Sequence, residues 1–424
     1  MRLDREYAHA LDAADPLRAW RARFALPCDA AGRDLVYLCG HSLGAQPALA
    51  AQYVEQVMSD WRRRGVDGFF HGRHRWLDYH ERSGPTLAAL VGAQPQEVTV
   101  MNSLTVNLHL LLVSFYRPAG RRKALLMERS AFPSDRYAAE GQLRHHGLDP
   151  ARDLLEVTPR AGELLLRTED IVATIEREGP RIATIVLPGV QYLSGQRLDI
   201  RAITAAGHRA GCSVGWDLAH AVGNVPLSLH DDDVDFAVWC HYKYLNGGPG
   251  AAGGAFVHAR HAVRRELPRF AGWWGRDKAT RFRMGPDFEP IAGADGWQVS
   301  TPSILAMAPV LASLEHFASV GLAALRAKSV ALTGYLEALI DARLAGRVTV
   351  LTPRAAQERG AALSLRLECG PDAAHAAFER LLTRGIVPDW REPGIIRAAP
   401  VPFYNSYDDA WRFADALDEA LRPT

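Results

Sequence analysis

With 424 residues, 48% of them hydrophobic and 23% charged, the chain has material for roughly two or three domains with real cores, which excludes a peptide hormone, a disulfide-stapled scaffold and a disordered polypeptide. Forty-nine basic residues against 48 acidic ones leave a net charge of +1, so no global field attracts nucleic acid or anionic lipid, and small molecules are the expected partners. Five cysteines, Cys28, Cys39, Cys212, Cys240 and Cys369, form no CxxC pair, which argues against a disulfide framework or zinc ribbon and predicts a reducing, cytoplasmic setting. The N-terminal stretch carries acids from Asp4 onward and no apolar core, so no secretory signal is expected. The longest strongly apolar run, Leu108 to Tyr116, is about half a bilayer span, and no membrane anchor is predicted.

From residue 46 onward helix and strand signals alternate. Gln46 to Arg64 sets Val54, Val57, Met58 and Trp61 on one helical face and stops at Gly65. Val98 to Met101 predicts a short buried strand, with Asn102-Ser103 capping a helix through Leu108 to Phe115. Lys123 to Met127 is the next strand, and Ser134-Asp135 caps a helix to Gly147. Thr168 opens a helix ending at Gly179, Arg181 to Leu187 is a β-branched strand, and Asp199 to Ala210 is helical. Cys212 to Trp216 runs into Asp217, Val234 to Trp239 stops before His241-Tyr242-Lys243, and Gly253 to His258 is the last strand of the series. Short apolar strands alternating with helices predict an α/β fold with a mostly parallel sheet covered on both faces, whose ligands sit beyond the carboxyl ends of the strands. Asp217 and Lys243 then share one rim. A long helix from Ile304 through Phe317 to Ala342, strands near Val348 and Ala362 to Leu367, and a helix at Tyr407 to Leu421 predict a smaller α+β domain. The expected division is 1–45 as an N-terminal segment packing with the small domain, 46–305 as the large domain and 306–424 as the small one.

Three patterns invite chemistry and fail on context. Gly40-His41-Ser42-Leu43-Gly44 fits the G-x-S-x-G nucleophile elbow, yet too few strands precede it and no oxyanion segment accompanies it, so a glycine-rich turn is the better expectation. His71, His74 and His80 lack an HExxH frame and sit beside Arg73 and Arg75, which favours a solvated or substrate-facing loop over a metal site. Gly247-Gly248-Pro249-Gly250 with Gly253-Gly254 lacks the GxGxxG order and predicts a tight turn between strands.

Asp217, His220 and Lys243 are more informative. An aldehyde cofactor such as pyridoxal phosphate needs a lysine to attach to, a carboxylate to keep its ring nitrogen protonated and a cup for its phosphate. The chain has only four lysines, and Lys123, Lys278 and Lys328 sit in contexts that predict surface positions. The helix start at Asn102 to Thr105 offers backbone N–H groups and a hydroxyl to a phosphate. Asp and Lys after strands are common, so spacing by itself leaves an ordinary strand-end role open.

The wording of whole segments goes further. YLCGHSLGAQP (37–47), VMNSLTVNLHLLLVSFYRP (100–118), AFPSDRYAAEGQLRHHG (131–147), LPGVQYLSGQ (187–196), GWDLAHAVGNVPL (215–227), WCHYKYLNGGPG (239–250), AGWWG (271–275), TRFRM (280–284) and IIRAAPVPFYNS (395–406) resemble the kynureninases over nearly the whole chain. That family comprises pyridoxal 5′-phosphate enzymes of the aminotransferase-like fold type I, which hydrolyse L-kynurenine to anthranilate and L-alanine in tryptophan catabolism, a route that also feeds NAD biosynthesis. The resemblance implies Lys243 as the cofactor lysine, Asp217 at the pyridine nitrogen and His220 beside the ring. It also implies Phe132 stacking on the ring with Pro133, Ser134 and Asp135, Leu104, Thr105 and Tyr242 at the phosphate, and Tyr242 as proton donor to Cβ. Members are homodimers, so Trp273 would reach the partner's phosphate. Arg397 would take the substrate α-carboxylate, Ser42 would touch substrate, and Phe69 and Thr301 would lie at the aryl end, with Thr301 also near the cofactor. His41 departs from the Asn expected in that turn. With Thr301 in place of Asn and Phe69 in place of His, L-kynurenine is expected ahead of 3-hydroxykynurenine. The rival readings are a serine hydrolase on Ser42 and a cofactor-binding regulator, for which the N-terminal segment is too short to hold a DNA-binding domain.

Overall fold

A computed structural model describes residues 2–262, 264 and 266–422. The strands of the large sheet are β1 (Val98–Met101), β2 (Ala124–Glu128), β3 (Leu154–Val157), β4 (Ile182–Pro188), β5 (Ser213–Asp217), β6 (Phe236–Cys240) and β7 (Gly253–Val257). Nearly every residue in them is buried, as expected of strands covered on both faces. Their order is β1-β7-β6-β5-β4-β2-β3. Neighbours from β6 to β3 pair in parallel, whereas β7 runs antiparallel to both β6 and β1. The link from His241 to Ala252 contains no helix, the usual vehicle of a parallel crossover, and the chain returns antiparallel.

The helices are α1 (Arg5–Ala14), α2 (Ala50–Arg64), α3 (Gly84–Val91), α4 (Leu104–Phe115), α5 (Pro133–His145), α6 (Thr168–Glu178), α7 (Ile200–Arg209), α8 (Ile304–Val320), α9 (Leu322–Arg343), α10 (Pro371–Thr383) and α11 (Tyr407–Ala420). Asp199 caps α7 by accepting from the Ala202 N–H at 2.9 Å. The helix expected to run unbroken from Ile304 to Ala342 instead bends by 84° between α8 and α9. Gly321 makes the bend, with φ at 78°, a backbone angle side chains resist. Helix α5 starts one residue before the expected cap: Phe132 is its N-cap and Ser134 and Asp135 lie in its first turn. Both side chains are thereby released from capping to face the cavity described below. No single helix among the described residues is long and apolar enough to cross a membrane.

The small domain holds a second sheet, β8 (Val348–Val350), β9 (Leu363–Leu367), β10 (Asp389–Arg391) and β11 (Ile395–Ala398), in the order β8-β9-β11-β10. Packing crosses the expected boundary at 305/306. Met307, Val310, Leu311, Leu314 and Phe317 of α8 pack in the large-domain core, as does Leu325 of α9, and only from Leu332 onward does α9 join the small-domain core. Segment 1–45 is likewise divided: Ala8, Val36 and Leu38 pack in the small core, but Leu17, Phe24 and Ala45 pack in the large one. Lys328 corrects a second expectation. It is 8% exposed and its Nζ lies 2.7 Å from Asp15 Oδ2, so it ties the N-terminal segment to α9 rather than facing water. Lys123 and Lys278 are exposed.

Candidate active site

Three strand ends and two helix starts enclose a cavity of about 200 Å³. Glu128 ends β2, Pro188 ends β4 and Asp217 ends β5, while Leu104 and Thr105 open α4 and Ser134 and Asp135 open α5. This is the carboxyl-end rim of the parallel strands, where such sheets place ligands. Phe132, Tyr192, His220, Tyr242 and Lys243 complete the walls.

The Lys243 amine lies 3.0 Å from His220 Nε2, 5.8 Å from the Phe132 ring centroid and 5.9 Å from that of Tyr242. Burial, reinforced by the Lys243 charge, pushes His220 well below the usual histidine range, so its neutral ring accepts from the ammonium. Opposite stand three carboxyls. Burial raises Glu128 to about 7, and burial together with the neighbouring charge of Asp217 holds Asp135 well above the usual carboxylate range. Asp217 Oδ1 accepts from the Ala219 N–H at 2.7 Å, and Asp135 Oδ1 is buried without a partner. Crowding of this kind makes ionisation of one carboxyl oppose that of its neighbours.

At the far end, Thr105 Oγ1 and Ser134 Oγ lie 2.7 Å apart. No side chain caps α4, so its first N–H groups stay free, and Asn102 takes a left-handed φ of 42° just before it. A Cβ on Gly253 would press within 3.0 Å of the Leu104 nitrogen, so this position must stay small beside the helix start. Free helix N–H groups with two hydroxyls form an anion site. A lysine, a carboxylate and an anion cup in one cavity are the donor set a pyridoxal phosphate requires.

The structure therefore brings together Leu104, Thr105, Phe132, Ser134, Asp135, Asp217, His220, Tyr242 and Lys243. Pro133 supports them as the first residue of α5. Trp273 and Thr301 are not brought to this cavity: both are exposed, and Trp273 Nε1 donates instead to the Arg281 carbonyl at 3.1 Å. Phe69 packs edge-on against Trp76, with ring centroids 5.4 Å apart. Ser42 does not line the cavity either, but its turn abuts the Lys243 loop, because the Gly44 N–H donates to the Tyr242 carbonyl at 2.7 Å. A Cβ on Gly44 would come within 2.4 Å of the Lys243 carbonyl oxygen, which accounts for the glycine without a nucleophile elbow. Of the three histidines, His71 is exposed beside Asp67 while His80 is buried near Asp295, so the expected solvated loop covers only part of the cluster.

This architecture is shared by solved structures. A cysteine desulfurase from Thermococcus onnurineus matches with a TM-score of 0.73 over 91% of this chain and 94% of its own, at 16% identity. C-DES, whose structure carries glycine covalently linked to its PLP cofactor, matches at 0.74 over 91% and 96%, at 18% identity. Those likenesses fix the fold as type I. In sequence, a kynureninase from Koribacter versatilis is 54% identical over 407 residues, 96% of this chain and 95% of its own. One from Myxococcus xanthus is 55% identical over 416 residues, 98% and 97%. The kynureninase C-terminal domain family matches residues 325–417. The chain belongs to the kynureninase family.

One feature of this kynureninase-family site was missed by sequence reasoning. Glu128 ends a buried strand with a charge, the same signal that marked Asp217.

Proposed function

We propose that the cavity around Lys243 is where this enzyme hydrolyses L-kynurenine to anthranilate and L-alanine with pyridoxal 5′-phosphate. The observation that carries the assignment is the Lys243 amine 3.0 Å from neutral His220, in one cavity with Asp217 and the Thr105–Ser134 pair. When bound, pyridoxal phosphate supplies an aldehyde that condenses with amines and a protonated ring that withdraws electrons from the carbon beside them. Lys243 would attach it, and its free amine would stand where it can move the Cα proton. Asp217 would hold the ring nitrogen's proton. Thr105, Ser134 and the α4 N–H groups would hold the phosphate, and Phe132 would cover the ring. Tyr242, whose phenol burial raises, keeps its proton at neutral pH and can give it to Cβ as the Cβ–Cγ bond breaks with water. Mixing purified holoenzyme with L-kynurenine should release anthranilate and L-alanine in equal amounts; release of neither rejects the assignment.

The assembly we propose is a homodimer. Phe70, Trp273, Phe282 and Met284 are large apolar residues 43–69% exposed, and Phe282 packs within 5.9 Å of Phe70 and 5.5 Å of Trp273. A patch of that kind marks an interface. It would carry Trp273 and Thr301 to the partner's cavity, completing each site from two chains. Trp273→Ala should therefore weaken cofactor retention, measured by dialysis, and an active monomer in ultracentrifugation would end the claim. The free cysteines fit a cytoplasmic protein.

Substrate choice follows from the aryl end. A buried 3-hydroxyl without a partner costs about 1 to 3 kcal/mol, and Phe69 offers no hydrogen bond. We expect roughly a 5- to 150-fold preference for L-kynurenine over 3-hydroxykynurenine in kcat/KM. Equal specificity constants in steady-state kinetics would show the aryl end to be otherwise built.

A further inference from the structure

The Arg397 guanidinium has five N–H groups, and two of them donate to the surroundings, Nε to Asp389 and Nη1 to the Tyr192 carbonyl. Asp389 Oδ2 accepts from Nε at 2.7 Å and lies 2.5 Å from Nη2, and the Tyr192 carbonyl accepts from Nη1. At least one hydrogen is left on each terminal nitrogen, which is what a bidentate carboxylate takes. Arg397 is 2% exposed, so these hydrogens need a partner from within the protein or from a ligand.

Asp389 is placed by the small sheet. It stands directly opposite Arg397 in the antiparallel pairing of β10 with β11. The same Oδ2 lies 3.3 Å from Arg391 Nε and 3.8 Å from His41 Nε2. His41 is fully buried, neither of its ring nitrogens has a hydrogen-bond partner, and its ring centroid lies 6.2 Å from that of His220. Burial lowers His41 to about 4, so at neutral pH it carries no charge to compete for Asp389. Burial opposes ionisation of Asp389, but the contacts with His41 and Arg397 win and hold its carboxyl below the usual range. The anion is thus fixed on one side of the guanidinium. Tyr192, which takes the other side, also lines the cofactor cavity and packs edge-on to Phe132 at 5.4 Å.

We propose that Asp389 is the positioning residue for substrate recognition: it pins the Nε and Nη2 side of Arg397, so that the remaining hydrogens wait in one orientation for the α-carboxylate of the amino acid. This rests on Arg397 being the carboxylate binder, which the family resemblance implies. An unpinned arginine would spend part of its binding energy on ordering its own long side chain. Asp389 does not touch the reacting atoms, so its removal acts on binding and spares the chemical step.

The test is Asp389→Asn in the holoenzyme, titrated by visible absorption with L-alanine, which has amine and carboxylate, and with ethylamine, which has the amine alone. We expect the Kd for L-alanine and the KM for L-kynurenine to rise about 10- to 100-fold, with kcat within about threefold and the Kd for ethylamine unchanged. Asp389→Glu, which restores the charge, should recover part of the loss and guards against a folding artefact. Equal weakening of both ligands would reduce Asp389 to a general structural part and overturn the proposal. Tighter L-alanine binding would overturn it differently, by showing that Asp389 competes with substrate for the guanidinium. Arg397→Lys separates this proposal from its premise. If that variant weakens L-alanine and Asp389→Asn does not, only the positioning role falls; if neither does, the carboxylate assignment falls with it.

Discussion

Lys243→Ala should bring turnover of L-kynurenine to background, a loss of at least about 10⁴-fold, because the amine both attaches the cofactor and moves a proton, and proton transfer alone is worth on the order of 10²–10⁴-fold. No other lysine can substitute. Lys123 and Lys278 are exposed, and the Lys328 amine is held 2.7 Å from Asp15 in a different part of the fold. Borohydride reduction of the holoenzyme followed by peptide mapping should place the pyridoxyl group on Lys243. Label on any of the other three would remove the basis of the assignment. Lys243→Arg should fare no better than alanine, since a guanidinium stays protonated at any accessible pH and cannot attack an aldehyde. Cofactor should still enter the variant and dialyse away faster, because the anion cup formed by Thr105, Ser134 and α4 does not depend on the lysine.

The parts of this site that the sequence displays are those where chemistry interrupts a hydrophobic pattern. Val98 to Met101 matches β1, and the apolar runs before Asp217 and His241-Tyr242-Lys243 end on polar residues because a parallel sheet exposes its ligands there. What stays hidden depends on partners far along the chain. The reversal of β7 goes with a connection that holds no helix, visible only once both strands are bounded. Lys328 sits on an amphipathic helix whose polar face is covered by Asp15, more than 300 residues earlier, so periodicity assigns it to solvent. The unbroken helix expected from Ile304 fails at Gly321, a residue that helices tolerate when nothing else demands a turn. Asp389 gains meaning only from the register that sets it against Arg397. The segments resembling known kynureninases carried the residue roles themselves, which spacing alone had left open.

Asp217→Asn should keep the cofactor attached and lose most turnover, by about 10²- to 10⁴-fold, since an amide of the same shape cannot hold the proton on the ring nitrogen. The fold gives little reason for collapse. The amide oxygen of the variant side chain can still accept the Ala219 N–H that Asp217 Oδ1 accepts at 2.7 Å, and the flanking register from Pro188 to Val238 involves only backbone. What changes is charge. In the native site burial, with the Asp217 charge added to it, holds Asp135 above the usual carboxylate range, and Asp217 contributes to the raised Glu128. With that charge gone, burial still holds the Asp135 carboxyl up but the repulsion does not, so it should ionise more readily in the same cavity and offer the ring a second, less well placed carboxylate. Residual activity in Asp217→Asn should then come from Asp135. The Asp217→Asn/Asp135→Asn double variant should fall below the single one by a larger factor than Asp135→Asn costs the native enzyme, a non-additivity that steady-state kinetics on the four proteins would read. Near-normal kcat/KM in Asp217→Asn, or purely additive losses in the double variant, would show that the ring proton is held by something other than this carboxyl cluster.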